Sequence, residues 1–499
     1  VSSDSITATL GNVGYAFAQV NPNPEVDQEN NTVGINMQVV PGPRVNVRRV
    51  VFKGNSRSAD EVMRREMRQF EGSWYSQAAI DRSKIRLQGL GFFDKVDVET
   101  QPVPGTSDQV DVVYSLNEVA AGSFVFGVGF SALTGLSTQI ELTQNNFLGS
   151  GNRITVQAQQ NSFLQRYDFS FLNPYFTDGG VSLGYNLRWS EFDTQDFNTA
   201  QFSSTSGVAQ MVLGLPITET DSVSAQLGID SNQIFAFPGT TPVPIVDYIE
   251  AVGQRTFHAW RGEIGWGRNS LNSALTPSRG TVQRIWLEAA LPGSTVEYFK
   301  INYSFSKFWP LSRHLVLNTR AELGYGDSYG DPIIRDICFT APTQANPNPV
   351  QTVNCTADSD DFVKTVEADG LPFFENFFAG GVRSVRGFTD NTLGPRAGAF
   401  AGSSFTQPLG GALKTVGSVE MFFPTLLNTS AARVSAFLDV GNVFTDVDAF
   451  DAGELRASAG VALMWRSPMG PISISYAAPI KKEDIDDIER LQFTFGGSF

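Results

Sequence analysis

Val181-Ser182-Leu183-Gly184-Tyr185-Asn186-Leu187-Arg188-Trp189-Ser190 decides the fold. Apolar and small or polar side chains alternate along it, the period of a β-strand with one apolar and one polar face. The run is about ten residues long, enough to cross a bilayer as a tilted strand. Phe299, Ile301, Tyr303 and Phe305 repeat the pattern. So do Leu315, Leu317, Ala321, Leu323 and Tyr325, with one Thr between them, and Leu455, Ala457, Ala459, Val461, Leu463 and Trp465. From Ala120 onward such segments follow one another and helix signals vanish. The connections alternate in length. Short turns fall at Leu148–Asn152, Asn173–Gly180, Leu215–Asp221, Pro277–Gly280, Trp309–Arg313, Pro424–Ser430 and Ser467–Pro471. Longer segments lie between them, notably Ser231–Gln254 and Asp327–Gly411. Pairing strands across the short turns, with one strand at each end, predicts sixteen antiparallel strands. Membrane barrels have even strand numbers, short periplasmic turns and long outer loops, so both ends of this barrel belong on the periplasmic side. A large soluble all-β protein would leave the alternating turn lengths unexplained.

Composition agrees. Only 17% of the 499 residues are charged, against roughly 25% in ordinary soluble proteins. The net charge of −15 argues against a nucleic-acid partner, which would call for basic patches. An aromatic content of 12% argues against disorder. No run of about 18 apolar residues exists, so no spanning helix is expected. Few charges without apolar runs is the signature of a transmembrane barrel that hides its apolar positions by alternation. Two histidines, His258 and His314, and two cysteines leave little for a metal site or a disulfide-dense scaffold. The histidines, isolated in strand-like segments, read as interfacial or lumenal polar residues. There is no nucleophile elbow, phosphate loop or ligand cluster. The sequence therefore predicts neither an enzyme nor a cofactor.

Before the barrel lies a weak repeat. Gly14-Tyr15 aligns with Gly91-Phe92 at an offset of 77 residues, and Val33, Ile35, Met37 and Val39 then fall on Val110, Val112, Tyr114 and Leu116. The second copy reads β-α-α-β-β. Its parts are a strand at Val45–Phe52, a helix capped by Ser58 with Glu61 three residues on, a helix at Ser76–Leu90, and strands at Lys95–Thr100 and Gln109–Asn117. Ile80, Ile85, Leu87 and Leu90 mark the apolar face of the longer helix, with Ile85 one position late. Only the last helix and strands of the first copy are present. The opening residues lack the basic and apolar regions of a signal peptide, so either a leader was removed or the sequence is a fragment, which the partial repeat favours.

In the last strand Leu491, Phe493, Phe495 and Phe499 alternate with Gln492, Thr494, Gly496 and Ser498. A terminal aromatic ring suits the membrane interface belt. The longest outer loop carries Val385-Arg386-Gly387-Phe388, preceded by Pro372-Phe373-Phe374-Glu375-Asn376-Phe377-Phe378-Ala379-Gly380-Gly381. With Asn173-Pro174-Tyr175-Phe176 and Ser467-Pro468-Met469-Gly470-Pro471, these segments make the chain resemble the POTRA-barrel superfamily over essentially its whole length. The resemblance implies the end of one POTRA domain at 1–43, a complete one at 44–119, a transmembrane barrel at 120–499 and further periplasmic modules upstream. It also implies that the loop at 327–411 folds into the lumen, where Arg386 meets Glu420 and Asp439.

Parity agrees with the last point. Asp439 shares a strand face with Arg433 and Ser435, and Glu420 shares one with Lys414 and Ser418, so both carboxylates face inward. On the residues alone, Arg386 reads as a solvated loop arginine. A buried arginine would need such partners, and its planar fork suits a carboxylate better than lysine does. Gly387 would let the backbone turn tightly beside it.

The resemblance implies assembly and insertion of β-barrel proteins into the bacterial outer membrane through a lateral seam. Its residues would be Gly122, Phe124, Gly127 and Gly129 of the first strand and Phe493, Phe495, Gly496, Gly497 and Phe499 of the last. Glycine weakens strand pairing, although small-residue packing in a crowded lumen accounts for the same composition. Implied partners are unfolded barrel clients, accessory lipoproteins that bind the POTRA domains, and outer-membrane lipids. A two-partner-secretion transporter is the alternative, and a passive pore a third. Cys338 and Cys355, in the long loop of an oxidising compartment, are expected to form a disulfide that staples the loop tip. They precede the four-residue motif, whereas the family's pair follows it, so the staple would be local. The charged run Lys481–Arg490 reads as a solvated outer loop.

Overall fold

The computed structural model describes residues 2–27, 32–131, 135–177, 179–193, 199–218, 220–237, 239–273, 276–339, 351–352, 362–400, 403–424, 426–427, 431–467 and 470–495. Residues 1–123 with 143–154 form one compact unit, and 124–142 with 155–499 form a second.

The first unit opens with a helix, Ser2–Gly11, and a hairpin of Gln19–Asp27 with Thr32–Val40. Then come strand Asn46–Lys53, helices Asp60–Arg64 and Gln77–Gly89, and strands Phe93–Pro102 and Gln109–Glu118. This is the β-α-α-β-β order the sequence predicts. Gln109–Glu118 lies in the middle of a three-stranded sheet, parallel to Asn46–Lys53 and antiparallel to Phe93–Pro102. Its Val110, Val112, Tyr114 and Leu116 alternate into a core with Val47, Val50, Met63, Leu87 and Val96. Burial of each large apolar side chain contributes roughly 1.5–3 kcal/mol.

Two local expectations fail here. Ser76 does cap its helix, accepting from the Ala79 N–H at 3.4 Å. Ser58 does not: the short helix is capped at Ala59 without a side-chain bond. The Ser58 N–H instead donates to Glu118 Oε1 at 2.8 Å, and its hydroxyl accepts from Asn146 Nδ2 at 2.7 Å. Ile85 stands 66% exposed, off the face that buries Ile80 and Leu87.

Sixteen described strands close into an antiparallel barrel, from Gly122–Ser131 to Leu491–Phe495. Burial is inverted relative to a soluble fold. Tyr185, Leu187 and Trp189 stand exposed on the outer face, while Ser418, Asp439 and Gln492 are buried inside. Closure leaves the last and first strands to pair with each other, which removes the free edges of an open sheet.

Three connections differ from expectation. Strand Tyr298–Ser312 runs through the turn placed at Trp309–Arg313, with a bulge between Pro310 and Ser312 that accommodates the proline. His314 therefore sits in a turn. The long segment after strand Asp221–Ala236 contains a helix, Val243–Val252, although no helix was expected beyond Ala120. Ile245, Tyr248 and Ile249, at helical spacing, pack against Ile337 and Val366 of the paired loop strands Ile333–Phe339 and Phe362–Ala368. Lys481–Arg490 is not simply solvated. Asp486 forms a 2.9 Å ion pair with Arg456, their side chains only 3% and 5% exposed. Ile488 and Glu489 pair with Phe388 and Gly387. The charges are buried because they have partners, a condition that charge density alone does not reveal.

Candidate functional site

The long loop leaves strand Leu315–Ser328 and rejoins the wall at strand Leu413–Phe423. Val385 and Phe388 are buried with Val416 and Val443 of the wall, together with Ala379 and Leu393 of the loop. These apolar contacts place Arg386 over strands Leu413–Phe423 and Ala432–Phe444, which pair with Ser418 opposite Asp439. Arg386 Nε donates to Asp439 Oδ2 at 2.7 Å and Nη2 to Asp439 Oδ1 at 2.9 Å, a two-pronged bond. Its Nη1 reaches Glu420 Oε2 at 3.3 Å, and its backbone N–H donates to Asp439 Oδ2 at 3.2 Å. The Ser418 hydroxyl donates to Asp439 Oδ1 at 2.6 Å, and the Ser435 hydroxyl donates to Glu420. The guanidinium carbon lies 3.4 Å from the centre of the Phe437 ring. The structure thus brings Arg386, Glu420 and Asp439 together. Gly387 has φ +92°, and a Cβ there would come within 2.9 Å of the Ala477 Cβ.

A second anchor carries residues that sequence reasoning missed. Glu375, in the 3-10 turn Phe373–Glu375, meets Arg261 Nη2 at 2.7 Å and Lys300 Nζ at 2.8 Å. Arg261 also contacts Asp230 at 2.6 Å and Glu288 at 3.1 Å, and donates to Tyr298 Oη at 3.0 Å. Burial opposes ionisation of Glu375, but Lys300 and Arg261 overcome it and hold the carboxyl well below the usual carboxylate range. Arg261 is not singled out by sequence reasoning, although it alternates with the outward Trp260. Its loop partner, 114 residues away, had no local signal.

Asp390 follows the motif. Burial and the nearby Glu489 push its carboxyl up to about 6, against the opposing pull of the Val382 N–H and Arg383. A carboxyl raised by folding destabilises the folded state when ionised, so stability is gained as pH falls through about 6. Acidification from pH 7 to pH 5 is expected to slow proteolysis of the loop around Asp390. Asp390→Asn should abolish that dependence.

At the seam, described residues give two register pairs between last and first strand, Thr494 with Ser131 and Phe495 with Phe130. Phe124 is exposed, as are Phe130 and Phe493, and Gly129 is buried. Gly122 and Gly127 lie in the same first strand. Gly496, Gly497 and Phe499 lie outside the described residues, as does Cys355, so the expected disulfide with Cys338 does too.

An inward loop locked to a sixteen-stranded wall behind a β-α-α-β-β domain defines a class of outer-membrane barrel. The Omp85 superfamily domain is matched over residues 146–499, and the POTRA domain (surface antigen variable number repeat) over residues 45–119. The chain belongs to the Omp85 superfamily and is an outer-membrane protein with a periplasmic POTRA domain. Outer membrane protein assembly factor BamA of Neisseria meningitidis is 32% identical over 98% of this chain, which spans 61% of that relative's length. The crystal structure of BamA from Haemophilus ducreyi lacking POTRA domains 1–3 superposes with a TM-score of 0.82 at 31% identity, covering 99% of this chain and 92% of that one. CdiB from Acinetobacter baumannii, at 13% identity and a TM-score of 0.52 over 97% of this chain and 79% of its own, shares the fold alone.

Proposed function

We propose that this barrel assembles and inserts β-barrel proteins into the bacterial outer membrane, and that clients enter at the seam between its first and last strands. The seam carries this reading. There the last strand meets the first, with Thr494 opposite Ser131 and Phe495 opposite Phe130. A parted seam exposes strand edges, and a client's amphipathic strand would add to them by main-chain hydrogen bonding. The names of the relatives support the same activity. The work is templating, with no covalent chemistry and no cofactor. Accessory lipoproteins would bind through the POTRA domains, and outer-membrane lipids would surround the barrel. Depletion followed by a census of outer-membrane proteins tests the proposal. Loss of many unrelated barrels is expected, whereas loss of a single secreted partner would make the protein a two-partner-secretion transporter.

A further inference from the structure

We infer that Gln492 is a positioning residue that fastens the last barrel strand to the inward loop, so that loop docking through Arg386 holds the seam closed. Gln492 is 1% exposed and faces the lumen from the strand that ends at the seam. Its Nε2 donates to the Phe388 carbonyl at 2.8 Å, and its Oε1 accepts from the Gly387 N–H at 3.3 Å. The side chain thus satisfies a donor and an acceptor of the loop backbone, as a further β-strand would. The chain leading into that strand is held as well. Ile488 and Glu489 pair with Phe388 and Gly387, and the Thr389 N–H donates to the Asp487 carbonyl at 2.9 Å. Arg396 Nη1 reaches Asp487 Oδ2 at 3.0 Å.

Arg386, one residue before Gly387, is fixed to strands Leu413–Phe423 and Ala432–Phe444 by Glu420 and Asp439. Residues 386–388 therefore tie the last strand to two wall strands that are not its neighbours in the barrel. To swing outward, the last strand must either release Gln492 or drag the loop off Asp439. The first strand, Gly122–Ser131, carries no equivalent tie to the motif among the described residues.

This inference rests on the seam reading above, and its test separates the two. Phe130→Cys and Phe495→Cys are placed in the full chain with Cys338→Ser and Cys355→Ser, and disulfide formation under limiting oxidant reports a closed seam. Gln492→Met keeps the volume and removes both hydrogen bonds. It should raise the ratio of unlinked to linked chain about fivefold, as expected for lost hydrogen bonds to buried groups. Gln492→Ala should do the same, with heat-modifiable gel migration showing that the barrel still folds. Arg386→Ala should raise the ratio similarly, and adding it to Gln492→Met should raise it little further, because both break one tie. A Gln492→Met variant that cross-links like the parent would overturn the latch, as would independent, additive effects of the two substitutions. If cross-linking leaves assembly intact, the seam reading fails while these ratios still judge the latch.

Discussion

Arg386→Ala is expected to undock the inward loop. Asp439 is 0% exposed, and without the guanidinium its carboxylate keeps Ser418 as its polar side-chain partner. Removing one member of a buried ion pair costs about 3–5 kcal/mol, because the other charge stays uncompensated in a medium of low dielectric. The apolar contacts of Val385 and Phe388 remain, so the barrel should still close while the loop opens. Limited proteolysis should then cut within residues 372–411 of folded barrels, at sites protected in the parent. Arg386→Lys should lie between the two, since an ammonium cannot make the two-pronged bond to Asp439. Arg386→Met combined with Asp439→Leu should recover part of the loss, because the fully buried carboxylate is gone while Glu420 keeps its bond from Ser435. Unchanged protection in Arg386→Ala would refute this account of docking.

Glu375→Ala is expected to have an effect of similar size at the other anchor. Arg261 retains Asp230 and Glu288, but Lys300 loses the carboxylate that lies 2.8 Å away. Stranding that ammonium in the lumen costs on the order of 3–5 kcal/mol. The 3-10 turn also keeps aromatic contacts, Phe373 with Phe202 and with Tyr248. Cleavage should therefore appear first near residues 369–376, upstream of the Arg386 motif. Glu375→Gln should be milder, because the amide oxygen still accepts a hydrogen bond from one of the two cations. If proteolysis of Glu375→Ala begins instead around residues 385–390, the two anchors are not independent.

The barrel was readable in the sequence because alternation is a local property with a single structural cause. Parity alone turned Glu420 and Asp439 inward. The choice of Arg386 as their partner came from the family resemblance, since nothing local separates a buried loop arginine from a solvated one. Other parts of the site depend on contacts between distant segments. Glu375 lies within a motif quoted for resemblance, yet its role depends on Arg261 and Lys300 of strands far away in sequence. Asp486 looked solvated because charged runs usually are, and only the position of Arg456 makes it buried. Gln492 read simply as the polar face of the last strand, although its amide meets the loop backbone. Ser58 and Ile85 failed for the same reason on a smaller scale: Glu118 and Asn146 took the serine, and one residue of helical phase moved the isoleucine to the surface.

The central claim is that clients pass through the seam. The most direct measurement follows newly made outer-membrane barrels in cells whose sole copy carries Phe130→Cys and Phe495→Cys, without Cys338 and Cys355. With the disulfide formed, assembly should fall to the level of depleted cells and return when the bond is reduced. Assembly that proceeds equally well with the strands linked would contradict the claim.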